Sequence, residues 1–206
     1  MAITTIRADS TDRHVNKYTN QNPLHRLSLG RFYDAVATEI NAIQPSSVLD
    51  FGCGEGFFLD MMAAREIELP NYEGLDLRSD ALTEARSRWP GTHFSKADLF
   101  DPTYDQKRYH TVMALEVLEH LFEPEPALKR LASLATDYIL LTVPNEPWFQ
   151  FMNLIRGRDF IRLGNHPEHI NHWNKNLFID FVGRHAEVVR VITRFPFIIL
   201  LARPRS

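Results

Sequence analysis

A short apolar run meets a cluster of glycines in the stretch Val48-Leu49-Asp50-Phe51-Gly52-Cys53-Gly54-Glu55-Gly56. The apolar residues predict a buried β-strand, and the apolar stretch from Phe57 onward predicts a helix directly after the loop. Glycines at such a turn permit a tight bend and let a ligand approach the backbone closely. A G-x-G-x-G pattern alone is weak evidence, because dinucleotide-binding enzymes and ordinary turns share it. The acidic residues near the loop narrow the class of ligand that it could bind.

Three carboxylates stand at or near the ends of successive predicted strands. Asp50 precedes the first glycine by two positions, and a carboxylate beside a helix N-terminus suits a cationic ligand better than a pyrophosphate. Asp76 closes the next strand, where a carboxylate can accept both hydroxyls of a ribose. Asp98 follows the third strand and could accept from an adenine amino group. The alternative is that all three are turn formers, but three in succession favour a cationic ligand that contains a nucleoside.

Strands alternate with helices along most of the chain, which predicts an α/β fold with a mostly parallel sheet and helices on both faces. The predicted strands are Ser47–Phe51, Tyr72–Leu77, Thr92–Ala97, Tyr109–Leu115, Tyr138–Val143, Val188–Arg194 and Phe197–Ala202. The predicted helices are His25–Ile43, Phe57 to about Glu68, Ser79–Arg88, Pro124–Ala135 and Asn174–His185. Phe195-Pro196 separates the last two strands and predicts an antiparallel hairpin that closes a seven-stranded sheet.

The strand–helix rhythm is interrupted in two places. Residues 1–22 are polar and predict a flexible N-terminal arm, which leaves residues 23–206 as a single domain. Residues from about 145 to 173 predict a lid or substrate insertion, since a stretch that long between core elements is more often functional than filler. Its aromatic and apolar side chains are candidates for an acceptor wall, with core packing as the alternative: Trp148, Phe149, Phe151, Met152 and Trp173.

Composition limits the class of protein. The chain has 206 residues, a formal net charge of −3 and one cysteine, Cys53. A single cysteine excludes an intrachain disulfide, and the charge gives no global basic field, which argues against nucleic acid as a partner. Met1–Asn22 lacks the apolar core of a signal peptide, and no apolar run has the length of a membrane span. We therefore expect a cytoplasmic protein.

Taken together, these motifs resemble the class I S-adenosylmethionine-dependent methyltransferase family from about Leu24 to Ala202. The resemblance includes the later motif Glu116-Val117-Leu118-Glu119-His120-Leu121. It implies a Rossmann-like fold, S-adenosyl-L-methionine as cofactor and S-adenosyl-L-homocysteine as product. The subgroup that it resembles includes ubiquinone-biosynthesis O-methyltransferases, which implies a small-molecule acceptor and an O-directed reaction.

The resemblance also implies roles for individual residues. The loop residues Gly52, Cys53, Gly54 and Gly56 would contact the methionine part of the cofactor. Asp76 would hold the ribose and Asp98 would meet the adenine, with Leu77 and Leu99 beside the ring. Asp50, next to the loop, would also bind the cofactor, and Glu116 would lie near the methyl donor as a cofactor-binding and catalytic residue.

A hydroxyl acceptor needs a group that takes its proton. A neutral histidine suits this task near pH 7. His120 is the first candidate because it follows the fourth strand, at the carboxyl edge of the sheet where ligands bind in such folds. His169 is the second candidate, and a structural histidine is the alternative for both. Cys53 could be a nucleophile, but a small residue packed in the loop is the interpretation that we favour.

Two other functions remain open. The spacing of Glu116, Glu119 and His120 predicts that they share one side of a helical turn, and such groups can bind a divalent metal. With His169 they match the order of the magnesium ligands in plant-type small-RNA 2′-O-methyltransferases, so metal-dependent RNA methylation is one alternative. A non-catalytic S-adenosylmethionine-binding protein is the other.

Overall fold

The computed structural model describes residues 23–146 and 170–205, and one seven-stranded sheet organises them. The strands are β1 (Val48–Phe51), β2 (Tyr72–Asp76), β3 (His93–Lys96), β4 (Tyr109–Leu115), β5 (Ala135–Pro144), β6 (Ala186–Arg194) and β7 (Phe197–Pro204). The α-helices are α1 (Pro23–Ile43), α2 (Phe57–Ala63), α3 (Ser79–Arg88), α4 (Pro124–Leu134) and α5 (Lys175–Gly183). Two short 3-10 helices, Pro102–Tyr104 and Leu118–His120, flank β4. The predicted arm at residues 1–22 lies outside the described residues.

The sheet has the predicted mixed topology. Its strand order is β3-β2-β1-β4-β5-β7-β6, and the first five strands pair in parallel. β7 lies antiparallel between β5 and β6. The order along the sheet reverses at β1, and crevices for ligands form beside such a reversal at the carboxyl ends of the strands. The prediction of a Rossmann-like α/β fold with a C-terminal hairpin is confirmed.

Two hydrophobic cores cover the two faces of the sheet, because side chains alternate between faces along each strand. One core joins α4 and α5 to residues such as Leu49, Leu75 and Val112. The other joins α1, α2 and α3 to residues such as Val48 and Met113. Helices therefore lie on both faces, as the alternating pattern predicts. No helix in the described part of the chain is long and apolar enough to cross a membrane.

The largest difference between a predicted and an observed boundary is at the end of α2, the helix after the glycine-rich loop. α2 ends at Ala63, whereas the sequence predicts a helix to about Glu68. Glu66 has a left-handed backbone, with φ of 56°, and the amide of Ile67 donates to the carbonyl of Met62. This arrangement closes the helix with a glutamate where glycine is usual. The residues have good helix propensity, but the chain must turn back here to enter β2.

Gly74 in the middle of β2 lets the loop pack directly on the sheet. A Cβ atom at this position would lie 2.7 Å from the ring of Phe94 and 2.9 Å from Sγ of Cys53. Both neighbours are buried and lie in the same core. Close approach of the loop to β2 therefore requires glycine here.

We expect Gly74→Ala to destabilise the protein by about 1–3 kcal/mol, because overpacking forces buried neighbours to shift. Gly30→Ala is the matched control: Gly30 lies within α1, and its Cβ would meet nothing within 4 Å. That change should be neutral or stabilising, since alanine has the higher helix propensity. Urea unfolding of both variants measures the difference, and equal stability would contradict the packing argument.

Candidate functional site

The glycine-rich loop crosses the carboxyl ends of β1 and β2. Its three glycines have positive φ angles, 83° at Gly52, 57° at Gly54 and 78° at Gly56. Side chains are strained in this region of backbone space, so the pattern of glycines follows from the shape of the loop. Gly56 also serves as the N-cap of α2. Gly52 is half-buried, whereas residues 53–56 of the loop are buried.

Backbone hydrogen bonds tie this loop to β2. The amides of Gly52 and Cys53 both donate to the carbonyl of Leu75, at 2.8 and 3.0 Å. The amide of Gly54 donates to Oδ2 of Asp76 at 2.9 Å. Oδ1 of Asp76 accepts the amide of Arg78 at 2.8 Å. Both oxygens of the predicted ribose-binding carboxylate are therefore held by main-chain donors.

Asp50 lies beneath the loop rather than on its surface. Its side chain is buried, and Oδ2 accepts the hydroxyl of Tyr72 at 2.6 Å. Burial is the main cause that raises the pKa of Asp50 to about 7; the hydrogen bond from Tyr72 opposes this shift, and the charge of Asp76 adds to it. Near neutral pH this carboxyl group therefore changes its charge beside the proposed ligand site.

Cys53 is a packing residue in the described geometry. Its side chain is buried, and Sγ lies against Gly74 and the carbonyl of Gly54. Burial, and then the carboxylates of Asp50 and Asp76, raise the pKa of this thiol above its usual range. The thiolate needed for nucleophilic chemistry is disfavoured, which supports the interpretation of Cys53 as a small packed residue.

The predicted adenine residues lie at the next strand ends. Asp98 is half-buried, and its Oδ1 accepts the amide of Phe100 at 2.9 Å, so it does form a turn as the alternative proposed. Its second oxygen is not used by that bond. Leu77 is half-buried, whereas Leu99 is 1% exposed and packs in the core. Leu77 thus presents more accessible surface to a ring than Leu99 does.

The end of β4 lies against the glycine-rich loop. A Cβ atom on Gly52 would lie 2.5 Å from Cγ2 of Val117, so the two segments are in close contact. Glu116 has a left-handed backbone, with φ of 59°. Its amide donates to Oγ1 of Thr142, and that hydroxyl donates to Oε1 of Glu116 at 3.0 Å. A strained non-glycine residue held this way is a frequent feature of functional sites.

The sequence predicts a helical turn that carries Glu116, Glu119 and His120 on one side, and the structure shows a shorter turn. The left-handed backbone of Glu116 breaks the turn, and only Leu118–His120 forms a 3-10 helix. Glu119 is buried, while the His120 side chain is 17% exposed, and Nε2 of His120 lies 3.9 Å from Oε1 of Glu119. Across residues 23–146 and 170–205, no three histidine, cysteine or carboxylate side chains converge as metal ligands.

The segment that the sequence predicts as an insertion is described only at its two ends. The amide of Glu146 donates to the carbonyl of Trp173 at 2.9 Å, so these ends lie side by side. Trp173 is buried, with ring centroids 5.5 Å from Phe178 and 5.3 Å from Phe181. It packs in the core, as the alternative interpretation proposed. The second histidine and the remaining wall residues lie outside the described residues: His169, Trp148, Phe149, Phe151 and Met152.

Asn171 fixes the turn that carries His120. Its Nδ2 donates to the carbonyls of Leu118 and Leu121, at 3.2 and 2.6 Å. The amides of Ile170 and Asn171 both donate to the carbonyl of Glu119. The sequence reasoning missed this residue, and no local signal identifies it, because its partners lie about 50 positions away in the chain.

Sequence reasoning also missed three side chains around the loop. Tyr72 binds Asp50, and Arg78 lies within salt-bridge distance of Glu55 and Asp76. A signal for Arg78 does exist, since a cation two positions after a strand-end carboxylate can reach back over the preceding loop. Burial of Asp76 and Glu55 also predicts a cation nearby, because a buried carboxylate is costly unless it is paired.

The buried carboxyl group of Asp50 predicts a specific dependence of stability on pH. In the native state the Asp50 carboxyl group has a pKa of about 7, whereas the ordinary pKa of an aspartic acid side chain is 3.8. Native protein therefore binds more protons than unfolded protein between these values, and the free energy of unfolding falls as pH rises from about 4 to about 7. Asp50→Asn lacks this proton and should escape the loss.

Relative to wild type, Asp50→Asn should thus become more stable as pH rises, by at most about 4 kcal/mol at pH 8, since each pKa unit corresponds to about 1.4 kcal/mol. Tyr72→Phe removes the bond that favours the ionised form, so it should raise the pKa of Asp50 further and extend the loss of stability to higher pH. Denaturant unfolding at pH 4.5, 6 and 8 measures both effects. If the free energies of unfolding of wild type and Asp50→Asn changed equally with pH, the raised pKa of Asp50 would be contradicted.

Comparison with known proteins agrees with this architecture. A family model described as a methyltransferase domain matches residues 14–186. The ubiquinone biosynthesis O-methyltransferase of Bradyrhizobium diazoefficiens is 26% identical over 178 residues, which cover 79% of this chain and 69% of that protein.

Two solved structures share the fold. The magnesium protoporphyrin IX methyltransferase of Synechocystis, with S-adenosylhomocysteine bound, superposes with a TM-score of 0.70 at 22% identity and covers 97% of this chain and 95% of that one. The methyltransferase domain of a bacterial Hen1 protein gives 0.62 at 19% identity, over 85% of this chain and 99% of that one. The family match spans most of the described sheet and includes the glycine-rich loop. The chain therefore belongs to the methyltransferase domain family and is an S-adenosylmethionine-dependent methyltransferase.

Proposed function

We propose that this methyltransferase acts on a hydroxyl group of a small molecule, with the cofactor on the glycine-rich loop and His120 as the group that accepts the proton. The observation that carries the proposal is the position of His120. It lies on the turn after β4, next to the segment Glu116–Val117 that contacts the loop, and its ring is partly accessible. The cytoplasmic location expected from the sequence is part of the same proposal.

The residues around the loop fit the chemistry of S-adenosylmethionine. The cofactor carries an ammonium and a sulfonium group and no phosphate, and the site has three buried carboxylates, on Asp50, Glu55 and Asp76, near one guanidinium, on Arg78. A carboxylate offers about four acceptor positions. Main-chain amides occupy one position on each oxygen of Asp76, and Nε of Arg78 lies 3.4 Å from Oδ1. The open position on Oδ2 suits a hydroxyl such as one of those of a ribose.

When bound, the cofactor supplies a methyl group on a positively charged sulfur. His120 would take the proton of the acceptor hydroxyl as the oxygen–methyl bond forms and the sulfur–methyl bond breaks, which leaves S-adenosylhomocysteine and a protonated imidazole. Asn171 holds the backbone of this turn, so the imidazole starts from a fixed position. Thr142 holds Glu116 at the adjoining edge. Such positioning lowers the entropic part of the barrier.

The choice of a small hydroxyl acceptor rests on similarity and charge. The related ubiquinone biosynthesis proteins are named as O-methyltransferases, at 22–26% identity over about four fifths of this chain. The formal net charge of −3 gives no field that would attract a polyanion. Both observations favour a small molecule with a hydroxyl group over RNA as the acceptor.

The cofactor assignment is tested first at Asp76. We expect Asp76→Ala to weaken S-adenosylmethionine binding at least about tenfold, because each charge-assisted hydrogen bond contributes about 1.5–3 kcal/mol. Asp80→Ala, which removes an exposed carboxylate from the first turn of α3, is the control and should bind normally. Calorimetry on folded protein gives the affinities, and an unchanged affinity for Asp76→Ala would refute the site.

The catalytic assignment is tested at His120. With a hydroxyl acceptor found by screening small molecules, His120→Ala should lower turnover by about 10²–10⁴-fold, the usual scale for loss of a general base. Cofactor affinity should change little. His93→Ala is the control, since His93 begins β3 at the opposite edge of the sheet. Normal turnover in His120→Ala would exclude the assignment.

A chelator separates this proposal from metal-dependent RNA methylation. If His120 only accepts a proton, the rate should be unchanged by a chelator and by added Mg²⁺. If Glu116, Glu119, His120 and His169 hold an ion, the chelator should abolish activity, and methyl transfer to a 2′-hydroxyl of a short RNA should replace transfer to the small molecule.

A further inference from the structure

Arg78 folds back from the start of α3 over the glycine-rich loop. It is the N-cap residue of α3, with extended backbone, and its own side chain makes no cap to the helix. The side chain is only 13% exposed, which is low for an arginine between a strand and a helix. It is therefore packed against the site rather than extended into solvent.

The first contact of Arg78 is with Asp76. Its main-chain amide donates to Oδ1 at 2.8 Å, and Nε of the guanidinium lies 3.4 Å from the same oxygen. On the other side, Oδ2 is held by the amide of Gly54 at 2.9 Å. These contacts fix the plane of the carboxylate from both ends.

The second contact is with the loop itself. Nη1 donates to Oε1 of Glu55 at 3.1 Å, and the side chain of Glu55 is 5% exposed. Nη2 lies 3.3 Å from the position that a Cβ atom on Gly54 would take. The guanidinium thus lies across the Gly54-Glu55 step and joins it to the end of β2.

Charge makes this contact hard to replace. In the described part of the chain, Arg78 is the only cation within salt-bridge distance of Glu55 or Asp76. Burial disfavours the charge of Arg78, but the two carboxylates outweigh burial and raise the pKa of the guanidinium. Without Arg78, Glu55 would keep a buried charge with no cation beside it, and loss of one partner from such a pair is costly.

We propose that Arg78 is a positioning residue of the cofactor site, which holds the carboxylate of Asp76 and the glycine-rich loop in the arrangement that binds the ribose. This inference rests on the proposed function, because it takes Asp76 to be the ribose ligand. Arg78 then acts on affinity through Asp76, without a contact of its own to the amino-acid end of the cofactor.

Two ligands, with and without the amino-acid part, test whether Arg78 acts on the nucleoside through Asp76. S-adenosylhomocysteine contains both the nucleoside and the amino acid, whereas 5′-methylthioadenosine has the same nucleoside and no amino acid. Arg78→Met keeps the aliphatic part of the side chain and removes the guanidinium. We expect this change to lower the affinity for both ligands by the same factor, about tenfold or more, as measured by calorimetry.

A double-mutant cycle shows whether the effect passes through Asp76. In the Asp76→Ala background, Arg78→Met should cost much less affinity than it does in wild type, because only its contact with Glu55 is then lost. Arg78→Lys, which can reach one carboxylate but lacks the planar fork, should bind with intermediate affinity. It also keeps the test open if Arg78→Met does not fold. Arg88→Met is the control, since Arg88 ends the same helix and pairs with Asp60 and Glu84.

Each contrary outcome is distinct. Wild-type affinity in both Arg78 variants overturns the inference. A loss for S-adenosylhomocysteine alone overturns it in favour of a direct contact with the ligand carboxylate. An equal loss in the presence and absence of Asp76 overturns it in favour of a general structural role. If Asp76→Ala itself binds normally, the proposed cofactor site fails, and the inference fails with it.

Discussion

The hydrogen bonds between the loop after β1 and the end of β2 are the constraint on which the site depends. Two loop amides share the carbonyl of Leu75, and a third binds Asp76. This spacing is possible only because Gly74 leaves room for Cys53 beneath the loop. The same contact brings Gly52 against Val117, so the ends of β1, β2 and β4 converge at one edge. The loop that is proposed to bind the cofactor is therefore in contact with the segment that precedes His120.

Negative charge accumulates at this edge, and the protein balances it in different ways. Asp50 is buried with Tyr72 as its donor and has a pKa of about 7, so it loses much of its charge when the solution is slightly acidic. Asp76 and Glu55 instead have Arg78. A carboxylate cluster of this kind is unfavourable in the free protein, and a cationic ligand relieves part of that cost. Stability and ligand affinity are therefore expected to oppose each other here.

The sequence predicts the fold well because the fold depends on local periodicity. Tyr109–Leu115 and Ser79–Arg88 coincide with β4 and α3, and the order of elements is correct. The sequence places the end of α2 too late and the start of β5 too late. At the end of α2, the need of the chain to turn toward β2 outweighs the helix propensity of the residues. Glu66 shows this directly, since a good helix former takes a left-handed backbone to end α2.

The candidate site is less predictable, because its geometry depends on contacts between distant segments. The motif indicates Asp76 but not that Gly54 and Arg78 hold it. Spacing predicts one helical turn for Glu116 and His120, yet Glu116 has a left-handed backbone and the 3-10 helix begins only at Leu118. Asn171 is visible only once the turn at Leu118–His120 and the chain near residue 170 are seen together.

The contact between Glu146 and Trp173 bears on how such an enzyme can change its acceptor. It brings the two ends of the intervening segment together within the framework of the sheet, with Trp173 anchored in the core. A chain that leaves and re-enters at one point can vary in length at little cost, about 0.6 kcal/mol for each doubling. Segments of quite different composition could be exchanged there while the cofactor edge stays intact. On the hypothesis that this segment is the substrate insertion, acceptor choice would diverge as a module, separate from the machinery that delivers the methyl group.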